Sequence, residues 1–159
     1  MRILAIDPGF GRCGVAVLEG SGSTARLLYS SCIETMPKSE FSGRLLAVAD
    51  KIVRLIEQHE PDTIALEELY FTNNAKTALH VAEIRGMLMY LAASREIPLV
   101  EYNPLAVKVA ITGYGRATKD EVTKMVCKLI ALPSKKMLDD EYDAIALGLT
   151  ALAQAKHVK

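Results

Sequence analysis

The chain has 159 residues, half of them apolar and about a quarter charged, with 19 basic residues against 19 acidic ones. That size suits one domain with a substantial hydrophobic core. The neutral balance neither announces nor excludes nucleic acid, because a local basic surface can sit on a neutral protein. No stretch reaches the roughly 18 apolar residues of a membrane span, and no basic segment leads into a signal-like apolar run, so a cytoplasmic protein is expected. The three cysteines, Cys13, Cys32 and Cys127, are odd in number, lack paired zinc spacing and lie in apolar stretches. They are expected to be buried, reduced thiols.

The first third has the composition of strands. Residues 2–6 are short and apolar, 13–19 carry Val15 and Val17, and 25–33 follow the turn Gly20-Ser21-Gly22-Ser23. The period then changes. Leu45, Leu46, Ala49, Ile52, Val53 and Ile56 give helical spacing over about 39–59, ended by Pro61-Asp62. A short strand over 63–66, a long helix over about 75–95 and a strand over 97–102 follow. Asn103-Pro104 caps a short helix carrying Lys108. Gly113-Tyr114-Gly115 breaks it, and Thr118 with Glu121 forms a capping box for a helix through 132. Pro133 closes that helix, and a last one covers about 140–156. Three meandering strands followed by alternating helices and strands imply one α/β domain over 1–159 with a mixed sheet.

Within this frame several carboxylates stand where packing would not choose them. Asp7 directly follows Ile3-Leu4-Ala5-Ile6 and precedes Pro8-Gly9-Phe10-Gly11, a glycine-rich turn that lets phosphate or metal approach the backbone. Glu67 and Glu68 end a second apolar run. Neighbours in a strand face opposite sides, so only one of them can share a pocket with Asp7, and spacing does not choose. Asp140 and Asp143, three apart, share a helix face about 60° wide, as do Asp139 and Asp143. Acidic residues also favour helix N-termini, so this last cluster has an ordinary explanation taken alone. Together the three sites suit phosphodiester cleavage, which uses hard, oxygen-liganded Mg²⁺ ions about 3.5–4 Å apart.

These segments resemble one family. Ile-Leu-Ala-Ile-Asp-Pro-Gly at 3–9, Leu-Glu-Glu-Leu-Tyr-Phe at 66–71, Asn-Asn-Ala-Lys-Thr-Ala-Leu at 73–79, Arg-Gly at 85–86 and Asp-Glu-Tyr-Asp-Ala-Ile-Ala-Leu-Gly at 140–148 are similar to the RuvC family of Holliday-junction resolvases. The resemblance implies an RNase H-like fold with a five-stranded mixed sheet, the first three strands antiparallel, flanked by helices. It implies Asp7, Glu67, Asp140 and Asp143 as catalytic, metal-binding carboxylates for Mg²⁺, with Mn²⁺ able to substitute. It also implies a homodimer that resolves four-way junction DNA by paired symmetric nicks in recombination and repair, beside a branch-migration complex.

The same resemblance places Lys108 and Lys119 at basic positions near the metals, Lys119 as part of the catalytic set. Arg116, in the intervening loop, is a further phosphate candidate. Tyr70, or adjacent Phe71, is the ring expected to stack at the junction centre, and Asn73 and Asn74 are expected to reach DNA in the same segment. The helix over 75–95 is apolar almost all round at 87–93, which suits a buried central helix or, by the resemblance, a subunit interface with Gly86 allowing close approach. Three other functions compete. Ile-Asp-Pro-Gly-Phe-Gly-Arg-Cys-Gly-Val-Ala-Val also looks like the phosphate loop of actin-like and sugar-kinase ATPases, which need two such domains where 159 residues provide one. A non-catalytic junction binder would not need four carboxylates. A related nuclease for ribosomal RNA precursors shares some acidic positions but is less similar over 66–79.

Overall fold

A computed structural model describes residues 1–21, 24–36, 39–69 and 75–155, with the side chains of 75 and 76 left aside. Its elements in chain order are β1 (Arg2–Pro8), β2 (Arg12–Glu19), β3 (Arg26–Glu34), α1 (Phe41–His59), β4 (Thr63–Glu67), α2 (Ala75–Ala93), β5 (Leu99–Tyr102), α3 (Pro104–Thr112), α4 (Lys119–Leu129) and α5 (Asp139–Gln154). They form one sheet in the order β3-β2-β1-β4-β5. The first three strands meander antiparallel, whereas β4 pairs parallel with β1 and β5 parallel with β4. This is the mixed, RNase H-like arrangement expected.

Strand alternation sorts the core into two layers. Leu4, Ile6, Val15, Val17, Ile64 and Leu66 pack under α1 and α2. Ile3, Ala5, Ala16, Leu18 and Ala65 face α3, α4 and α5. On α1 the buried apolar residues Val48, Ile52, Leu55 and Ile56 keep the helical period read from the sequence.

The central buried helix is α5, not α2. From Ala144 to Leu152 every residue of α5 is buried. It can lie so close to the sheet because the residues between are small. A Cβ added to Gly14 on β2 would sit 2.0 Å from the backbone oxygen of Asp140, and one added to Gly148 would sit 2.3 Å from Leu18 Cδ1. By contrast α2 buries only Ala78, Ile84, Arg85, Leu88, Leu91 and Ala92 among its described side chains, and nothing lies within 4 Å of a Cβ built on Gly86. Leu79 and Tyr90 are 60% and 70% exposed.

Several ends shift from expectation for local reasons. The β1 ladder runs on through Asp7↔Gly14 and Pro8↔Cys13, so Asp7 is inside the sheet rather than beyond it. β5 starts only at Leu99, because the Ile97 N–H turns back to the carbonyl of Ala92 at 3.0 Å. α4 stops at Leu129, where Ile130 is already extended. Asn103 caps α3 by accepting the Leu105 N–H at 2.9 Å, and Thr118 with Glu121 closes the capping box on α4 as its sequence predicts. Cys13 is buried, but Cys32 is half-buried and Cys127 is exposed on α4, so burial holds for one thiol of the three; all are free. No helix among the described residues is long and apolar enough to cross a membrane.

The close seat of α5 yields a graded expectation. Gly14→Ala drives a Cβ into backbone and should cost about 2–3 kcal/mol or more. Gly148→Ala meets the tip of Leu18 at 2.3 Å and the Cβ of Ala5 at 3.3 Å, side chain and not backbone, and gains about 1 kcal/mol of helix propensity, so it should cost less than Gly14→Ala, roughly 1 kcal/mol. Urea unfolding of the two variants checks the order.

Candidate active site

β1 and β4 are parallel neighbours, with Ile3↔Thr63, Ala5↔Ala65 and Ile6↔Leu66 in register. Continuing one residue brings Asp7 beside Glu67 at the carboxyl ends of both strands. Alternation puts both on the Ala5–Ala65 face, beneath α5. Glu68 then belongs to the opposite alternation; it is exposed and accepts a hydrogen bond from Asn103 Nδ2 at 3.1 Å. The connections leaving β1 and β4 run to opposite sides of the sheet, which opens a crevice at these two strand ends.

Across that crevice stands the first turn of α5. Glu141, a residue the sequence reading passed over, anchors it. Its buried carboxylate accepts from Ser30 Oγ at 2.8 Å, from Lys135 Nζ at 2.8 Å and from the Leu138 N–H at 3.3 Å. Burial pushes this carboxyl up, but the bonds from Lys135, Ser30 and Leu138 outweigh it and hold the group below its ordinary value. With Glu141 turned into β3, Asp140 and Asp143 are directed elsewhere on the turn. Asp143 enters the cleft, where its Oδ2 accepts from Lys119 Nζ at 2.9 Å. Asp140 faces the β2–β3 side, where Arg12 Nη1 and the Cys32 thiol each lie 3.8 Å from its Oδ2. Asp139 is exposed.

A cleft of about 280 Å³ therefore holds Asp7, Glu67, Asp143, Lys108 and Lys119 along its walls. Three of the four expected carboxylates and both expected lysines meet there. Asp140 is not among the residues that line it, but its charge reaches Asp7. Lys119, the first residue of α4, is held above its usual pKa by its hydrogen bond to Asp143. Arg116 is exposed in the turn before α4, outside the residues that line this cleft. Tyr70, Phe71, Asn73 and Asn74 lie outside the described residues.

Two further residues support the site and were missed. Buried Arg85 of α2 donates to the backbone carbonyl of Glu67 and to the Glu101 carboxylate, tying the end of β4 to β5. Arg12 is the cation on the Asp140 side. For Glu141 a signal existed, a glutamate at the third position of a helix, able to reach back to the cap N–H. For Arg12 and Arg85 there was none in spacing alone.

The donor set is all oxygen, which suits a hard divalent cation. The electrostatics agree with that fit. Burial, then Glu67, Asp143 and Asp140, push the Asp7 carboxyl well above its ordinary value. Glu67 is also raised, first by burial and also by Asp143, against the lowering influence of Asp7, Lys119 and Arg85. Among the described residues no three acidic, histidine or cysteine side chains enclose one ligating point; Lys119 pairs with Asp143 at 2.9 Å, and Arg12 lies 3.8 Å from Asp140.

Raised carboxyl pKa values have a definite sign in stability. From about pH 4 upward the unfolded chain has released protons that folded Asp7 and Glu67 still hold, so unfolding free energy falls as pH rises through the folded values. Asp7→Asn removes one member of the repelling pair. With EDTA at pH 7.5 it should melt several degrees above the parent, and its melting temperature should vary less between pH 4 and 8. Thermal denaturation across that range reads both.

Comparison with known proteins places this geometry. Residues 3–151 match the family model described as Crossover junction endodeoxyribonuclease RuvC. The protein of that name from Thermomicrobium roseum is 42% identical over 149 residues, 94% of this chain and 91% of its own. The one from Caldicellulosiruptor saccharolyticus is 36% identical and covers 99% of this chain and 96% of its own. Among solved structures, Thermus thermophilus RuvC in complex with Holliday junction substrate superposes with a TM-score of 0.91 at 28% identity, covering 99% of this chain and 96% of that one. The yeast mitochondrial Holliday junction resolvase Ydc2, at 16% identity and a TM-score of 0.71 over 99% of this chain and 81% of that one, shares the fold.

Proposed function

The chain belongs to the RuvC family of crossover junction endodeoxyribonucleases, and we propose that it resolves four-way DNA junctions by paired symmetric nicks during recombination and repair. The observation that carries this reading is the pairing of Asp7 with Glu67 at adjoining strand ends, facing Asp143 and Lys119 across one cleft. Asp7, Glu67, Asp140 and Asp143 are the carboxylates that hold divalent metal, Mg²⁺ with Mn²⁺ as a substitute. Bound ions of this kind supply an activated water and neutralise charge at the leaving oxygen. Asp7 and Glu67 present their carboxyls from two strands of a buried sheet, so their separation is set by the ladder and not by a loop. Lys119 neutralises Asp143 and, with Lys108, draws the phosphate backbone to that side of the cleft. Arg116 adds a contact further along the strand, and the segment carrying Tyr70, Phe71, Asn73 and Asn74 meets the unpaired bases at the junction centre. A protein of this kind works in the cytoplasm, beside a branch-migration complex.

Incubation with Mg²⁺ and end-labelled mobile four-way junctions or matched linear duplexes tests the reading. Paired nicks at symmetric positions in the junction alone are expected. Equal cutting of the linear duplex would sink it. Asp7→Asn should lower cleavage by a thousandfold or more, on the order of other losses at charge-stabilising sites, while junction binding persists.

The homodimer has its own support. Leu79, Ala82, Gly86, Tyr90 and Ala93 are all exposed on α2, and their spacing places them within one stripe along the helix. An exposed apolar stripe around a glycine suits a second copy of the same helix, and a two-fold pair would set two clefts on a substrate with its own approximate two-fold axis. Tyr90→Glu should convert the dimer to monomer in sedimentation equilibrium. A monomeric parent protein would overturn the homodimer, and a dimeric Tyr90→Glu variant would place the interface elsewhere.

A further inference from the structure

Arg12 opens β2 and lies outside the residues that line the cleft, beside Asp140, whose charge reaches Asp7. The backbone that carries it is held firmly. It pairs with Glu34 in the β2–β3 ladder, and the preceding Gly11 carbonyl accepts the Thr35 N–H at 3.1 Å. One residue earlier, the Phe10 carbonyl accepts from buried Arg44, whose guanidinium also lies 3.9 Å from the centre of the Phe10 ring. Arg44 in turn donates to Thr35 Oγ1 at 2.8 Å, so the turn is strapped to α1 and to the residue that follows β3.

The Arg12 side chain is not held in the same way. It is 54% exposed, and its charged contact among the described residues is Asp140 at 3.8 Å. That distance is too long for a good hydrogen bond, and an exposed pair of this kind contributes little. The other arginines around the sheet are engaged closely. Arg2 holds Glu19 at 2.7 Å, Arg26 holds Glu19 at 3.0 Å, and Arg44 and Arg85 are buried in hydrogen bonds. A fixed base with a loosely held guanidinium fork is the arrangement that exchanges a weak partner for a phosphate, which the fork can bind through two parallel N–H bonds.

We propose that Arg12 is a DNA-phosphate contact that grips the strand in the cleft from the β2 side, opposite Lys108 and Lys119. The proposal rests on the nuclease reading of the same cleft. Contact with phosphate takes Arg12 off Asp140, so the arrival of the strand frees that carboxylate.

The test is junction binding by the full-length protein in EDTA, across a salt series, for the parent, Arg12→Gln and Arg12→Lys. Removing one phosphate contact should weaken binding about tenfold near 0.1 M salt and lower the slope of log K against log salt by about one. Arg12→Lys should keep the slope and lose part of the affinity, because it retains charge but not the fork. All three proteins should melt alike, which separates the effect from misfolding. An unchanged slope and affinity in Arg12→Gln would overturn the proposal and leave Arg12 as a counter-ion of Asp140. A parent protein that nicks the linear duplex as readily as the junction would instead sink the junction-resolving reading, while the slope still decides Arg12.

Discussion

The parallel register of β1 against β4 governs the site. It sets Asp7 and Glu67 side by side at the ends of two buried strands, on the face that α5 covers. A shift of one residue would turn either side chain to the opposite layer, under α1 and α2, because side chains alternate along a strand. The rest of the architecture holds that register. Apolar residues fill both faces of these strands, and Arg85 ties the last carbonyl of β4 across to Glu101 on β5.

Placing carboxylates in such a position opposes folding electrostatically. Asp7 and Glu67 lose water and face like charge, and both titrate above their ordinary range as a result. The protein offsets part of this with cations at the edges, Lys119 on Asp143 and Arg12 near Asp140. Among the described residues neither makes an ion pair with Asp7 or Glu67, so this pair is the least neutralised part of the cleft. A site of this kind has an unsatisfied demand for positive charge in its floor and movable cations at its mouth. Both features suit a pocket that takes up divalent metal and polyanion together.

Rigidity and freedom are divided along the same lines. The acidic residues stand on strands or on a helix turn anchored by Glu141, and the close seat of α5 on Gly14 leaves little room for that turn to drift. The basic side chains stand at the mouth with more exposure, where a bound strand can recruit them. Outside the cleft, the apolar stripe on α2 is left uncovered by the other described residues.

Much of this was legible in the residues. Helical and strand periods gave the ten elements in order, and the apolar run before Asp7 marked a carboxylate with no packing reason to be there. The resemblance over 3–9, 66–79 and 140–148 chose Glu67 over Glu68 and Asp140 over Asp139. Tertiary structure alone supplied the physical grounds for Glu67, since only the β1–β4 register says which of two adjacent side chains shares a face with Asp7. It also decided which apolar helix is central. Residues 87–93 of α2 and 144–152 of α5 are both almost wholly apolar, but the small residues Gly14 and Gly148 let α5 press onto the sheet, whereas α2 keeps an exposed side. Arg12, Arg85 and Glu141 became visible for the same reason. Arg12 is 128 residues from Asp140, Arg85 is 18 and 16 from Glu67 and Glu101, and Glu141 is 111 from Ser30; such pairings have no period for a sequence to display, and only the local bond of Glu141 to the Leu138 N–H was legible.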